Sequence, residues 1–255
     1  MNLSKSAAGH RVAPRFEDAA KPRASLGFVL LASEPTVEAE MFRLAPAGVA
    51  VHFTRVPMAG TVTVEALDEI AAALPAAAAL LLPQGGVDVV CYTCNSGTIV
   101  LGEERVAAAL ARGNPKARAT TVITNVINAL RHLKARRIAI ATPYVDEINR
   151  LEKAYFEQRG FEVLALEGLG VRTDAEMARL APDYLAEFVQ AVDCAGAEAV
   201  FLSCGAMRVL DIVAPLERTL GKPVVASNPA MMWDCLRLAG IAERREGMGR
   251  LFGSA

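Results

Sequence analysis

Short apolar runs alternate with longer segments of helical spacing along nearly the whole chain. That alternation restricts the fold to the α/β class. The runs that read as strands are residues 28–31, 49–55, 87–92, 137–141, 162–166, 199–202 and 223–226. Several are apolar throughout, as suits strands of a parallel sheet covered on both faces. Residues 64–74, 125–133, 145–159, 183–195 and 208–220 carry helical patterns. Thr124 stands where an N-cap for the second of these belongs, and Ile148, Leu151, Tyr155 and Phe156 form one stripe in the third. The expectation is doubly wound parallel sheet.

The pattern also repeats. One apolar run leads into Ser33-Glu34, another into Pro143-Tyr144, and each is followed by an acidic helix start. Cys94 stands sixty positions after Glu34, and Cys204 stands sixty after Tyr144. Both cysteines follow an apolar run directly. Ligands of such sheets sit beyond the carboxyl ends of the strands. Two similar domains related by a pseudo-twofold would therefore bring both cysteines to one cleft. The expected division is an arm at residues 1–25, a first domain from 26–120 plus 226–255, and a second from 121–225.

With 255 residues and 53% hydrophobic content, the chain can bury a large core. A net charge of -1 gives no footprint for nucleic acid or an anionic membrane. The longest apolar stretch, residues 70–83, is broken by Pro75 and too short for a membrane span. The arm lacks a continuous apolar segment, so it does not read as a secretory signal, and Glu17 and Asp18 interrupt an organelle presequence. Five cysteines, an odd number in a long chain, argue against a disulfide scaffold and for reducing cytoplasm. A homo-oligomer, by default a dimer, is expected.

The chemistry centres on two thiols. Cys94-Asn95-Ser96-Gly97-Thr98 places a thiol where a strand gives way to a helix. The free N–H groups and partial positive charge there favour a thiolate and can also hold a substrate carboxylate. Asn95, Ser96 and Thr98 add neutral donors. Cys204-Gly205-Ala206 repeats the thiol at a second junction, and Gly205 permits close approach of backbone to ligand. Two thiols on opposite faces of one carbon can exchange a proton there, or one can attack while the other protonates.

Most free cysteines are small buried hydrophobes, and Cys194 and Cys235 read that way. Cys91 lies inside a strand, so Cys91-x-x-Cys94 is a poor redox motif. His10, His52 and His132 have no ligand spacing to a cysteine, which leaves neither a zinc site nor a Cys–His hydrolase. No nucleotide-binding glycine motif follows a strand. Nothing calls for a cofactor or a metal.

Several segments resemble maleate cis–trans isomerases. These are Cys94–Thr98 with Gly102-Glu103-Glu104-Arg105-Val106, the run from Arg136 through Thr142-Pro143-Tyr144, Ser203-Cys204 with Arg208, and the run from Pro223 to Ser227-Asn228. The resemblance spans residues 26–240. That family lies in the aspartate/glutamate racemase superfamily, with hydantoin racemases and arylmalonate decarboxylases. It implies that Cys94 and Cys204 are the catalytic pair and that Tyr144, Asn95 and Ser96 hold a substrate carboxylate. The decarboxylase branch typically lacks the first cysteine, although Cys204-Gly205 is similar to it.

One position departs from the isomerase pattern. Glu34 stands where an Asn is expected, and Thr54-Arg55-Val56-Pro57 is similar to the ectoine-utilisation branch. That likeness implies an amino-acid derivative of diaminobutyrate as substrate, with Glu34 attracting its ammonium or else capping the next helix. Three reactions stay open: racemisation of such an amino acid, maleate cis–trans isomerisation, and decarboxylation of a malonate. A carboxylate-binding accessory protein without turnover is the reading from another class.

Overall fold

The computed structural model describes residues 14–17, 21–58 and 64–254. The first thirteen residues of the expected arm, and residues 18–20, lie outside these.

The first half runs β1 (Ala24–Leu31), α1 (Val37–Leu44), β2 (Val49–Val56), α2 (Val64–Ala79), β3 (Val89–Tyr92), α3 (Asn95–Leu101), α4 (Glu103–Gly113) and β4 (Arg118–Thr121). Helix α5 (Val122–His132) leads into β5 (Arg137–Thr142), α6 (Asp146–Glu157), β6 (Glu162–Gly168), α7 (Asp174–Met177), α8 (Pro182–Val192), β7 (Ala199–Leu202), α9 (Leu210–Leu220) and β8 (Val224–Ala226). Helices α10 (Ser227–Leu238) and α11 (Arg250–Gly253) close the chain.

All pairings are parallel, and the two four-stranded sheets have the same order, β2-β1-β3-β4 and β6-β5-β7-β8. Strand β3 thus corresponds to β7, and each leads to one of the two cysteines. A central core joins the halves. Phe28 and Met41 from the first meet Ile140, Phe156 and Phe201 from the second, with Met231 and Trp233 of α10. Two further clusters fill the outer faces of the sheets.

Strand β4 is absent from the seven expected strands. Its Arg-Ala-Thr-Thr sequence is short and polar, and it sits at a sheet edge where only one neighbour must be satisfied. Helix α5 also starts earlier than expected. Thr121, not Thr124, is its N-cap, and its hydroxyl accepts the Thr124 N–H at 3.2 Å. In α6 the apolar stripe divides. Tyr155 and Phe156 enter the core, whereas Ile148 and Leu151 line a cavity, leaving polar Asn149 and Glu152 buried beside it.

Candidate active site

Strand β3 ends at Tyr92, and Cys94 is the N-cap of α3, with extended backbone at φ -96° and ψ 118°. Its sulfur does what a Ser or Asp oxygen does at most N-caps. It accepts the Gly97 N–H at 3.3 Å and lies 3.6 Å from Ser96 Oγ. Burial raises the thiol above its ordinary value, while the contacts with Ser96 and Gly97 pull it down. The helix terminus therefore acts in the expected direction, but desolvation outweighs it.

Cys204 sits differently. The chain leaves β7 through a tight turn at Ser203–Ala206, and α9 starts only at Leu210, so this thiol faces a turn and not a helix terminus. Its φ of 110° is a conformation that L residues rarely adopt. The Cys204 N–H donates to Ser227 Oγ at 3.0 Å, and its sulfur accepts the Ala206 N–H at 3.4 Å. Met177 Sδ lies 3.6 Å from that sulfur. Burial drives the thiol far up, with the Asp174 charge adding to the rise. The Ala206 N–H and the neighbouring Tyr144 hydroxyl oppose it.

Helix α1 reaches across to hold this turn. Glu40 Oε1 accepts the N–H groups of Val209 and Leu210 at 3.1 and 3.2 Å. Its other oxygen accepts from Asn228 Nδ2 at 2.9 Å, and Asn228 also donates to Gly205 O at 2.9 Å. Thr36 Oγ1 donates to Ala206 O at 2.9 Å.

The two thiols line one cavity of about 430 Å³ between the halves. Glu34, Asn95, Ser96, Tyr144 and Gly205 line it too. Within it, Asn95 has both amide N–H groups occupied, by Ser203 Oγ at 3.0 Å and Ser227 Oγ at 2.9 Å, and its Oδ1 is buried without a protein partner. Glu34 is buried and caps α1, accepting from Thr36 N at 2.7 Å and Val37 N at 2.9 Å. Desolvation first, and then the Asp174 charge, raise its pKa to about 7 against the pull of those N–H groups.

The rest of the wall carries no catalytic motif in the sequence. Leu31, Met58, Val100, Ile148, Leu151 and Met177 make much of it apolar. Among the described residues Arg172 is the cation on the wall; Glu147 and Asp174 add acid. Asp174 accepts from Ser33 Oγ at 2.5 Å, tying the segment after β6 to the one after β1. A sequence signal for this segment does exist. Thr173-x-x-Glu176 is a capping box, and Thr173 Oγ1 accepts the Glu176 N–H at 3.3 Å. It marks a helix start at the cleft end of β6. Among the described residues no group of three His, Cys, Asp or Glu side chains is placed to hold a metal ion, and no helix is long and apolar enough to cross a membrane.

Comparison with known proteins gives a consistent result. The arylmalonate decarboxylase family model matches residues 58–252. Arylmalonate decarboxylase of Bordetella bronchiseptica is 40% identical over 136 residues, 52% of this chain and 57% of that protein. Maleate isomerase of Pseudomonas putida is 31% identical over 185 residues, 69% of this chain and 74% of that protein. A solved structure of a cysteine-to-serine mutant of Nocardia farcinica maleate cis–trans isomerase, with a covalently bound succinylcysteine intermediate, superposes with a TM-score of 0.83. It is 26% identical and covers 90% of this chain and 98% of its own.

Proposed function

The chain belongs to the arylmalonate decarboxylase family, and we propose that it is a cofactor-independent isomerase or racemase of a small carboxylate, with Cys94 and Cys204 as its paired acid–base groups. The observation that carries this reading is the convergence of two thiols, one from each half, on one cavity. Each sulfur accepts a backbone N–H, which favours the thiolate form when it arises.

In racemisation, one sulfur as thiolate takes the proton from the substrate carbon. The C–H electron pair delocalises into the neighbouring carboxylate, and the other thiol gives its proton to the opposite face. The product is inverted and the two sulfurs have exchanged protonation states. Ser96 and Tyr144 are the neutral donors for that carboxylate.

Charge and size favour an amino-acid derivative. Among the described residues Glu147 and Asp174 outnumber Arg172 on the wall even without Glu34, and Asn95 Oδ1 is a buried acceptor without a partner. Both features suit an ammonium. The apolar side chains and the 430 Å³ volume suit a substituent larger than that of a four-carbon diacid. An acetylated diaminobutyrate of the ectoine type meets these conditions.

Maleate cis–trans isomerisation is the second reading, favoured by the relatives and the covalent adduct seen in the Nocardia protein. Here one sulfur would add to the alkene while the other thiol protonates the adjacent carbon. The new single bond rotates, and loss of the same groups releases the trans isomer.

The test is a metal-free incubation in deuterated water with acetylated diaminobutyrates, aspartate, glutamate, maleate and a substituted malonate, followed by NMR and polarimetry. The racemase reading expects loss of optical rotation with deuterium entering at one carbon. Fumarate formation alone would move the assignment to the second reading, and release of carbon dioxide from a malonate without isomerisation of anything would overturn both.

A further inference from the structure

Strand β3 is buried along its length and its side chains alternate between two apolar clusters. Val89 and Cys91 enter the central core, while Val90 and Tyr92 face the layer built with α2 and α4. Tyr92 is wholly buried there, beside Leu74, Val106 and Leu110. Its hydroxyl has no aligned hydrogen-bond partner. A phenylalanine would fill the same space without stranding a polar atom, so packing does not account for the oxygen.

The hydroxyl points at the first turn of α3. A Cβ added to Gly97 would lie 2.7 Å from Tyr92 Oη and 3.1 Å from Cys94 Sγ. Phenol and thiol thus share the hollow left by the missing side chain of Gly97. Each alters the other's ionisation: the thiol pushes the phenol up, and the phenol pulls the thiol down.

The second half solves the same problem from another place. The position equivalent to Tyr92, two before its cysteine, is Leu202. There the phenol beside the thiol is that of Tyr144, in the loop after β5, and it too pulls its thiol down. Each thiol has one buried tyrosine, supplied by different elements.

We propose that Tyr92 is a positioning residue for Cys94, its hydroxyl donating to the sulfur once the thiol has ionised and holding the thiolate against the first turn of α3. This rests on the reading of Cys94 as an acid–base or nucleophilic group. The neutral thiol offers a weak acceptor and leaves the phenol without an aligned bond; the thiolate is a strong one.

The experiment follows alkylation of individual cysteines by iodoacetamide between pH 6 and 10, resolved by peptide mass spectrometry, in wild type and Tyr92→Phe. The variant keeps the ring and its packing, so circular dichroism and Tm should match or exceed wild type. Cys94 should react about tenfold more slowly near pH 8, with its profile displaced to higher pH, while Cys204 in the same samples stays unchanged. Tyr144→Phe should do the reverse, displacing Cys204 and sparing Cys94. An unchanged Cys94 profile in Tyr92→Phe overturns the proposal, as does an equal displacement of both cysteines, which would mark a general loosening. Because alkylation needs no substrate, it separates the two claims. A displaced Cys94 profile alongside full turnover in Cys94→Ser would leave the tyrosine contact standing and remove the catalytic reading.

Discussion

Ser227 Oγ accepts the backbone N–H of Cys204 at 3.0 Å, so the first residue of α10 fixes the backbone of a thiol in the turn after the neighbouring strand β7. The same oxygen accepts from Asn95 Nδ2 at 2.9 Å, and Asn95 directly follows Cys94. One hydroxyl therefore couples the placement of both thiols. Ser227→Ala removes it. We expect kcat to fall about tenfold, with stability down by about 1–2 kcal/mol for the unpaired buried donors. Steady-state kinetics and urea unfolding check this; unchanged kcat would show that the thiols are placed without it.

Cys94→Ser and Cys204→Ser should each reduce turnover at least about 100-fold, because a cycle needing two groups stalls when either is gone. Cys194→Ala should keep full activity, since that residue lies outside the cavity wall. The check is the deuterium-exchange assay, with circular dichroism to confirm folding. Wild-type rates in either Ser variant would remove the paired role.

Burial holds both thiols above their ordinary range, so the fraction of free enzyme carrying a thiolate grows as pH rises. The rate constant kcat/KM should accordingly increase from pH 6 to 9, by up to about tenfold per unit where a single deprotonation limits it. A flat profile across that range would mean that the attacking group is already ionised.

Glu152 is wholly buried, neither carboxylate oxygen has an aligned partner, and desolvation raises its pKa from 4.5 to about 7. The folded state thus binds the proton more tightly than the unfolded chain does. Its contribution is full below about pH 4.5 and is lost as pH rises through about 7, at most ~3 kcal/mol. Glu152→Gln keeps the shape without the charge, so its stability relative to wild type should grow between pH 5 and 8. Parallel Tm curves for the two proteins would contradict this.

Glu34 both caps α1 and faces the cavity. Glu34→Gln leaves one acceptor where two N–H groups need one, which should cost about 1 kcal/mol of stability. If the carboxylate also meets a substrate ammonium, KM for an amino-acid substrate should rise about fivefold or more, while KM for maleate stays level or falls. Equal KM changes for both would confine Glu34 to the cap.

The sheets and the cysteines were legible because the signals were local: apolar runs, each ending in a thiol, at a repeated interval. Strand β4 was not, since an edge strand of Arg118-Ala119-Thr120-Thr121 needs little hydrophobicity. The wall after β6 was hidden for another reason. Nothing around Asp174 says which loop of the other half it will meet, and the Ser33 contact joins residues 141 positions apart. The occupied donors of Asn95 belong to the same class, because its partners Ser203 and Ser227 come from two distant turns. Ile148 and Leu151 show the limit of periodicity, which marks an apolar stripe but not whether the stripe meets core or a cavity.

The left-handed backbone at Cys204 sets the protein's chemistry against its durability. A glycine would adopt that φ without strain, so the fold alone would gain from losing its second thiol. Variants recovered purely for heat resistance should accumulate small residues at this turn and emerge inert, whereas selection for turnover must keep a cysteine where the main chain least welcomes one.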